Sequence, residues 1–147
     1  MEPPNLELEL TDSVLMDDAD SAVDKLRALK AIGVQLAIDD FGTGFSGFSY
    51  LRRFPVDALK IGQSFVHEIT GNQDETIVSA MINIGNSLKR RVIAEGVETL
   101  AQLKFLQSHE CGEGQGYYFS HPVVAEEAGK LLEAGTRKRA EIAFQIT

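Results

Sequence analysis

Hydrophobic and polar positions along the chain follow two periods that alternate with each other. Short segments with alternating or continuous apolar residues are separated by longer segments in which apolar residues recur three or four positions apart. The short segments are Leu6–Leu10, Val34–Ile38, Ala58–Ile61, Val92–Ala94 and, near the end, about Tyr117–Phe119. Strand-like and helix-like segments in alternation predict an α/β fold with about five parallel strands joined by crossover helices.

The longer segments show helical spacing most clearly at Glu75–Leu88. The predicted apolar face of this helix carries Ile77, Met81, Ile84 and Leu88. An earlier helix that ends at Gly33 carries Leu26, Leu29 and Ile32 on its predicted apolar face. Further helical stretches are predicted at about Phe48–Phe54, Leu100–Leu106 and Ala125–Glu133. We expect residues 1–134 to form one domain and residues 135–147 to form a basic tail.

Composition and charge narrow the class of protein. A chain of 147 residues, 44% of them hydrophobic, is long enough for one domain with a sizeable core. Its net charge of −8 argues against a nucleic acid polymer or an anionic membrane surface as the partner. No apolar stretch approaches the roughly 18 residues of a membrane span, and the single Cys111 cannot form an intramolecular disulfide. We therefore expect a cytoplasmic protein.

Polar residues stand where the predicted strands end. Glu9, Asp39, Asp40, Lys60 and Glu95 lie at or near these carboxyl ends, and Gln115 lies in a loop beside one. Ligands of parallel α/β folds bind at that edge of the sheet, in barrels as in open sheets. Four carboxylates that converge there repel one another unless cations or protons neutralise them, and oxygen ligands suit hard divalent metals. The pattern predicts a metal site at this edge.

Each of these residues also has a simpler interpretation. For Glu9 the alternative is a solvent-facing position on an edge strand, and for Asp39-Asp40 it is turn chemistry. For Lys60 it is an exposed strand end, for Glu95 a helix cap and for Gln115 a tight turn. The three histidines show no spacing typical of metal ligands, so we expect them to be solvated surface residues.

Read together, five segments resemble the EAL domain, the bacterial phosphodiesterase that hydrolyses cyclic di-GMP. The matching segments are Leu8–Ser13, Asp39–Gly44, Phe54–Ile61, Ala94–Glu98 and Gly114–Tyr117. The resemblance implies a modified (β/α)8 barrel that binds two Mg²⁺ or Mn²⁺ ions at the carboxyl ends of its strands. It also implies that a metal-activated water opens one phosphodiester to give linear pGpG.

The resemblance implies a role for each matching residue. Glu9 and Asp39 resemble metal ligands, with Asp39 bridging, and Asp40 resembles a ligand of the second metal. Lys60 resembles the group that orients water or phosphate, and Glu95 resembles the carboxylate that activates the water, as base or ligand. Supporting roles fall to Asp12, Glu98 and Gln115. The loop Phe41–Ser49 resembles one that couples the metal site to dimerisation.

Three features depart from the family pattern. The E-A-L signature and the following metal-binding Asn are not in this sequence, which matches only the later units of the barrel. The usual K-I-D reads Lys60-Ile61-Gly62, and Asp12 stands where Glu is usual. We therefore expect the C-terminal part of a cyclic di-GMP phosphodiesterase, weakly active or inactive by itself. The alternative is a truncated or degenerate module that binds cyclic di-GMP or a protein partner without hydrolysis. Because such a partial barrel leaves strand edges open, we also expect a homo-oligomer.

Overall fold

A parallel sheet with crossover helices forms the body of the chain. The computed structural model describes residues 6–11, 19–43, 51–69 and 75–137. The strands are β1 (Glu7–Thr11), β2 (Gln35–Phe41), β3 (Ala58–Ile61), β4 (Arg91–Ala94) and β5 (Glu113–Gly114). The helices are α1 (Ala19–Ile32), α2 (Gln63–His67), α3 (Glu75–Ser87), α4 (Leu100–Ser108) and α5 (Ala125–Arg137). The five strands pair in chain order and all pairs are parallel, which confirms the predicted α/β class.

The two faces of the sheet differ in chemistry because successive strand residues point to opposite sides. One face packs into the main core, to which β2 contributes Leu36 and Ile38 and β3 contributes Leu59 and Ile61. The other face carries a small apolar cluster of Ala37, Ala58 and Ile93. The charged residues predicted as a site follow the same alternation on this second face, which places them on the side away from the main core.

The sheet curves so that strands that are not neighbours contact each other through long side chains. Strands β1 and β4 lie three positions apart, which in a flat sheet corresponds to about 14 Å. Nevertheless, Arg91 on β4 forms an ion pair with Glu7 on β1, and it also pairs with Glu113 on β5. Such contacts across the second face require that face to be concave. The five strands therefore form part of a barrel.

The fifth strand is not where the aromatic residues predict it. The prediction of a strand at Tyr117–Phe119 is wrong, because these residues form a turn in which the Tyr118 amide donates to the Val97 carbonyl. The pairing strand is Glu113–Gly114, opposite Ile93 and Ala94. Aromatic residues favour strands only where a pleated, half-buried surface receives them. Here Glu113–Gly114 completes the sheet before the chain reaches the aromatic residues.

Two helices bury the face that their spacing predicts, apart from one residue in each. Leu26 in α1 and Met81 in α3 are buried, and the partly buried Leu29, Ile84 and Leu88 pack against the core. Ile32 in α1 and Ile77 in α3 are 63% and 48% exposed, so their assignment to the core was wrong. The buried positions of α3 also include Val78 and Ile82, which the prediction did not name. Spacing alone does not fix which face of a helix is buried to within one residue, because neighbouring apolar positions fit the helical period almost equally well.

Some predictions are tested only in part, or not at all, by the described residues. Of the predicted helix Phe48–Phe54, residues 48–50 lie outside the described part, while Leu51 and Phe54 are buried in the core. The division into residues 1–134 and a basic tail stays a prediction. Within the described ranges, no helix is long and apolar enough to cross a membrane.

Candidate metal-binding site at the carboxyl ends of the strands

Lys60 is the centre of the charged residues on the concave face. Its ammonium Nζ lies 2.7 Å from Glu9 Oε1, 2.6 Å from Glu95 Oε1 and 3.6 Å from Asp39 Oδ1. The residue is only 4% exposed, which overturns the interpretation of an exposed strand end. The ammonium thus joins side chains from β1, from β2 and from the residue that directly follows β4. These four predicted site residues are brought together as the strand-end pattern indicates.

An irregularity in β2 brings two consecutive aspartates to the same site. The pairing of β2 with β3 shifts between Ile38 and Phe41, so β2 holds one residue more than β3 over this stretch. Asp39 and Asp40 lie in this bulge, and Asp40 has a left-handed backbone with φ of +51°. In a regular strand, their side chains would point to opposite faces. The bulge removes that restriction.

Asp39, Asp40 and Glu95 form a carboxylate cluster that fits a divalent cation. One oxygen from each of the three lies within 4.8 Å of the others. Carboxylate oxygens are the ligands that Mg²⁺ and Mn²⁺ prefer, and their mutual repulsion favours a bound cation. Glu9, also predicted as a metal ligand, does not join this three-oxygen group and pairs with Lys60.

The proximity of these charges changes the proton affinities of Lys60 and Glu95. Burial by itself lowers the pKa of Lys60, but the hydrogen bonds to Glu9 and Glu95 and the charges of Glu95 and Asp39 outweigh it. The pKa of Lys60 therefore lies above its ordinary value. Burial raises the pKa of Glu95, and the charges of Asp39 and Glu9 add to this, while Lys60 opposes it. Glu95 is therefore a stronger base than an ordinary carboxylate.

Two of the predicted supporting residues occupy different environments, and the third is not described. Gln115 donates from Nε2 to Glu95 Oε1 over 2.7 Å, so it contacts the carboxylate cluster directly. Glu98 Oε1 lies 3.5 Å from Nε2 of His67 on α2. Asp12 lies outside the described residues. The structure therefore connects Gln115 with the cluster and pairs Glu98 with α2.

A groove of about 360 Å³ lies beside the cluster. Its walls come from α2 and from the loops after β4 and β5, and its lining residues are Gln63, Gly96, Glu98, Gln115, Gly116, Tyr117, Ser120, His121 and Pro122. The rings of Tyr117 and His121 stack with centroids 4.2 Å apart. Sequence analysis named Glu98 and Gln115 among its lining residues but missed this groove, here called the rim groove, as a feature. The other walls come from separate loops, and His121 was expected to be a solvated surface residue.

Gln102 is a second feature that sequence reasoning missed. Its buried amide accepts from the Glu98 and Thr99 amides through Oε1 and donates to the Val66 carbonyl through Nε2. It thereby ties the loop after β4 to α2, which follows Lys60 in the chain. The signal was present, since Thr99 and Gln102 form a capping box with the T-x-x-Q pattern.

A curved parallel α/β sheet with a carboxylate and lysine site at its strand ends defines a barrel-type domain with a C-terminal ligand site. Comparison with known proteins identifies the family to which this domain belongs. The family model described as EAL domain matches residues 1–122, and the chain therefore belongs to the EAL domain family.

Relatives with a stated activity are similar over most of this chain. The cyclic di-GMP phosphodiesterase NbdA of Pseudomonas aeruginosa is 45% identical over 130 residues, which are 88% of this chain and 17% of NbdA. The solved structure of the PaMucR phosphodiesterase in complex with c-di-GMP is 43% identical, with a TM-score of 0.84. That match covers 87% of this chain and 52% of the PaMucR chain. The chain thus spans about a sixth of NbdA and about half of the PaMucR structure.

Metal binding is also represented among the similar structures. Klebsiella pneumoniae BlrP1, solved as a manganese and cyclic di-GMP complex, is 36% identical, with a TM-score of 0.74. The match covers 83% of this chain and 31% of the BlrP1 chain. Another structure of BlrP1 holds calcium with the same dinucleotide. The family is metal-dependent, which agrees with the donor chemistry of the carboxylate cluster.

Proposed function

We propose that this chain forms the C-terminal part of a phosphodiesterase that hydrolyses cyclic di-GMP to linear pGpG. The observation that carries the proposal is the convergence on Lys60 of carboxylates from adjacent parallel strands, directly beside a groove. The activities of NbdA and PaMucR support the choice of substrate, since both are cyclic di-GMP phosphodiesterases.

The carboxylate cluster would hold Mg²⁺ or Mn²⁺, with Glu9 as a further oxygen donor. Bound there, such cations lower the pKa of water and neutralise phosphate charge. Asp39 and Asp40 supply two donors from one strand because of the bulge in β2.

Lys60 and Glu95 carry the chemistry that the chain itself supplies. Lys60 keeps its positive charge throughout the neutral pH range, so it orients a phosphodiester oxygen and stabilises the negative charge that grows on it. Glu95, whose pKa is raised, accepts a proton from the attacking water, and Gln115 holds its Oε1 in place. The water oxygen bonds to phosphorus as the bond to the ribose 3′ oxygen breaks. That oxygen keeps the electron pair of the broken bond, takes up a proton from solvent water and leaves as the 3′ hydroxyl.

The rim groove supports a substrate larger than phosphate alone. It offers hydrogen-bonding groups from Glu98 and Gln115 together with the stacked rings of Tyr117 and His121. Polar edges and flat aromatic surfaces are the features that bind nucleobases. The groove therefore suits a base attached to the phosphodiester at Lys60.

Assembly and location follow as further parts of this proposal. Within the described residues, β1 and β5 each pair with a strand on one side only, and such edges favour association. We propose a homo-oligomer, which light scattering over a dilution series tests. A strictly monomeric mass at high micromolar concentration would contradict it.

A cytoplasmic location follows from the substrate, because cyclic di-GMP is an intracellular messenger.

The test uses the purified 147-residue chain with Mn²⁺ or Mg²⁺ and cyclic di-GMP. Because the chain spans 52% of the PaMucR structure, we expect turnover to be slow, and pGpG is measured by chromatography at stoichiometric protein concentration. Glu95→Gln should abolish pGpG formation, whereas Glu127→Gln, an exposed change on α5, should not. Binding is followed separately by calorimetry.

Each outcome decides between the candidate functions. Turnover lost in Glu95→Gln supports the phosphodiesterase. Binding of cyclic di-GMP without any turnover favours the alternative, a module that binds the dinucleotide without hydrolysis. Wild-type turnover in Glu95→Gln, or the absence of any binding of cyclic di-GMP, would overturn the proposal.

A further inference from the structure

Gln102 is a buried polar residue that the proposed reaction does not use. Within the described ranges, Lys60 and Gln102 are the two buried residues with polar side chains. Lys60 contacts the carboxylate cluster, whereas Gln102 lies on the first turn of α4 and does not line the rim groove. A buried amide requires hydrogen-bonding partners, and the partners of Gln102 show which segments it connects.

The hydrogen bonds of Gln102 join two walls of the rim groove. One wall is the loop after β4, with Glu98 (the β4 wall), and another is α2, with Gln63 (the α2 wall). Gln102 Oε1 accepts from the amides of Glu98 and Thr99 over 2.8 and 2.9 Å. Its Nε2 donates over 3.2 Å to the carbonyl of Val66, on α2. One side chain thus holds both walls from outside the groove.

The residue type at position 102 indicates that the bond to α2 has a role of its own. A capping box is formed equally by glutamate and by glutamine, because the helix end needs only an acceptor oxygen. Only glutamine can also donate to the Val66 carbonyl. That carbonyl already accepts from the Ile69 amide over 3.2 Å, so it would keep a partner without Gln102. The bond therefore connects two segments and does not merely satisfy a buried carbonyl.

The position of α2 depends on such contacts, because a helix of five residues is not stable by itself. At its start, Gln63 packs over Gly96, where a Cβ would lie only 2.3 Å from Gln63 Cγ. On its last turn, His67 Nε2 lies 3.5 Å from Glu98 Oε1. The side chains in these two contacts are exposed, whereas the bond from Gln102 is buried, where hydrogen bonds are stronger.

We propose that Gln102 is a positioning residue, which holds the β4 wall and the α2 wall at the separation that cyclic di-GMP requires. This inference rests on the proposed function, in which the rim groove takes a base of the dinucleotide. Gln102 acts through Glu98 and Gln63, the groove residues on the two segments that it connects.

The metal site is fixed by other bonds. The Glu95 amide donates to the Ile61 carbonyl over 3.0 Å, and the Glu95 carboxylate pairs with Lys60. The two aspartates of the cluster lie on β2. Loss of Gln102 should therefore weaken the binding of cyclic di-GMP and leave Mn²⁺ binding unchanged, a division that a general loss of structure would not produce.

The test compares dinucleotide and metal binding in Gln102→Leu and in the wild-type chain. Cyclic di-GMP binding is measured by calorimetry with Ca²⁺, which a BlrP1 structure holds together with this dinucleotide. Mn²⁺ binding is measured by the electron paramagnetic resonance of the free ion, at a temperature where circular dichroism shows the variant folded. We expect about 10-fold weaker dinucleotide binding, as for one misplaced hydrogen bond, and wild-type Mn²⁺ affinity. The exposed control Gln107→Leu, also on α4, should bind both like the wild type.

Gln102→Glu separates the bond to α2 from the helix cap. Glutamate keeps the oxygen that accepts from the Glu98 and Thr99 amides, so this variant stays capped even if Gln102→Leu does not fold. It cannot donate to the Val66 carbonyl, so we again expect about 10-fold weaker dinucleotide binding with wild-type Mn²⁺ affinity. Gln107→Glu adds the same charge to α4 and should bind like the wild type. Wild-type dinucleotide affinity in Gln102→Glu would mean that only the cap matters and would overturn the inference.

The remaining outcomes distinguish this inference from the proposed function. If the wild-type chain binds no cyclic di-GMP or no Mn²⁺, the proposed function fails and this inference fails with it. If the wild-type chain and both Gln102 variants bind the dinucleotide equally, the proposed function stands and only the positioning role is overturned. An equal loss of dinucleotide and Mn²⁺ binding also contradicts that role, because it reflects a general effect on structure.

Discussion

Replacing Lys60 by methionine tests whether the ammonium group holds the carboxyl-terminal edge of the sheet together. Methionine keeps most of the aliphatic volume of the buried side chain and removes only its charge and hydrogen bonds. The change leaves three carboxylates near one another without their shared cation. They come from Glu9, Asp39 and Glu95, on three different strands or strand ends.

The expected loss of stability depends on how far these charges are buried. The Lys60 side chain is 5% exposed and that of Glu95 is 17% exposed, whereas that of Glu9 is 47% exposed. Removing one partner of a buried ion pair costs 3–5 kcal/mol, whereas a solvated pair contributes 1 kcal/mol or less. Because only the Glu95 pair is deeply buried, we expect the free energy of unfolding to fall by about 3 kcal/mol.

The assay is urea unfolding at neutral pH, without metal and with Mn²⁺. Lys104→Met, an exposed change on α4, serves as the control and should unfold like the wild type. With Mn²⁺ present, the deficit of Lys60→Met should shrink, because the carboxylates that have lost the ammonium bind the cation more tightly than those of the wild type. A ligand at 100 times its dissociation constant adds about 2.7 kcal/mol to the stability of any protein that binds it, so the change in the deficit reports the difference in affinity.

Two results would refute the reasoning. If Lys60→Met without metal unfolds within about 0.5 kcal/mol of the wild type, as ordinary surface substitutions do, the ammonium does not neutralise the cluster. If the deficit is present but Mn²⁺ does not reduce it, the carboxylates that Lys60 contacts are not those that bind the metal.

Two further predictions concern pH and the buried amide. Because the folded-state pKa of Lys60 lies above its ordinary 10.5, its contribution to stability is complete below pH 10.5 and declines as the pH rises through the folded-state value. The stability difference between the wild type and Lys60→Met, measured by urea unfolding, should therefore narrow only above that pH, and narrowing at pH 8 would contradict it. Gln102→Leu leaves the Glu98 and Thr99 amides without their acceptor and should cost about 2–3 kcal/mol in the same assay. Exposed Gln107→Leu on the same helix is its control, and equal losses would contradict the role of the buried amide.

The sequence by itself determined the alternation of strands and helices, the first four strands to within a few residues, and the end of the sheet at which the site lies. These features depend on local periods of two and 3.6 residues and on the parallel direction that crossover helices impose. Asp39, Lys60 and Glu95 stand at or next to the carboxyl ends of neighbouring strands, so parallel pairing alone brings them near one another. Glu9 lies opposite Ala37 in the middle of β1, so it reaches Lys60 only because the sheet curves.

The tertiary structure decided what each of these residues does there. Lys60 is buried because curvature of the sheet brings β1 and the end of β4 over β3, and no local pattern reports that curvature. Asp40 joins the cluster through a bulge, and this feature depends on register with a neighbouring strand. Side-chain positions at a site follow from contacts between residues distant in sequence, whereas strand periodicity is local. The strands could therefore be predicted from the sequence, whereas the geometry of the charges on them could not.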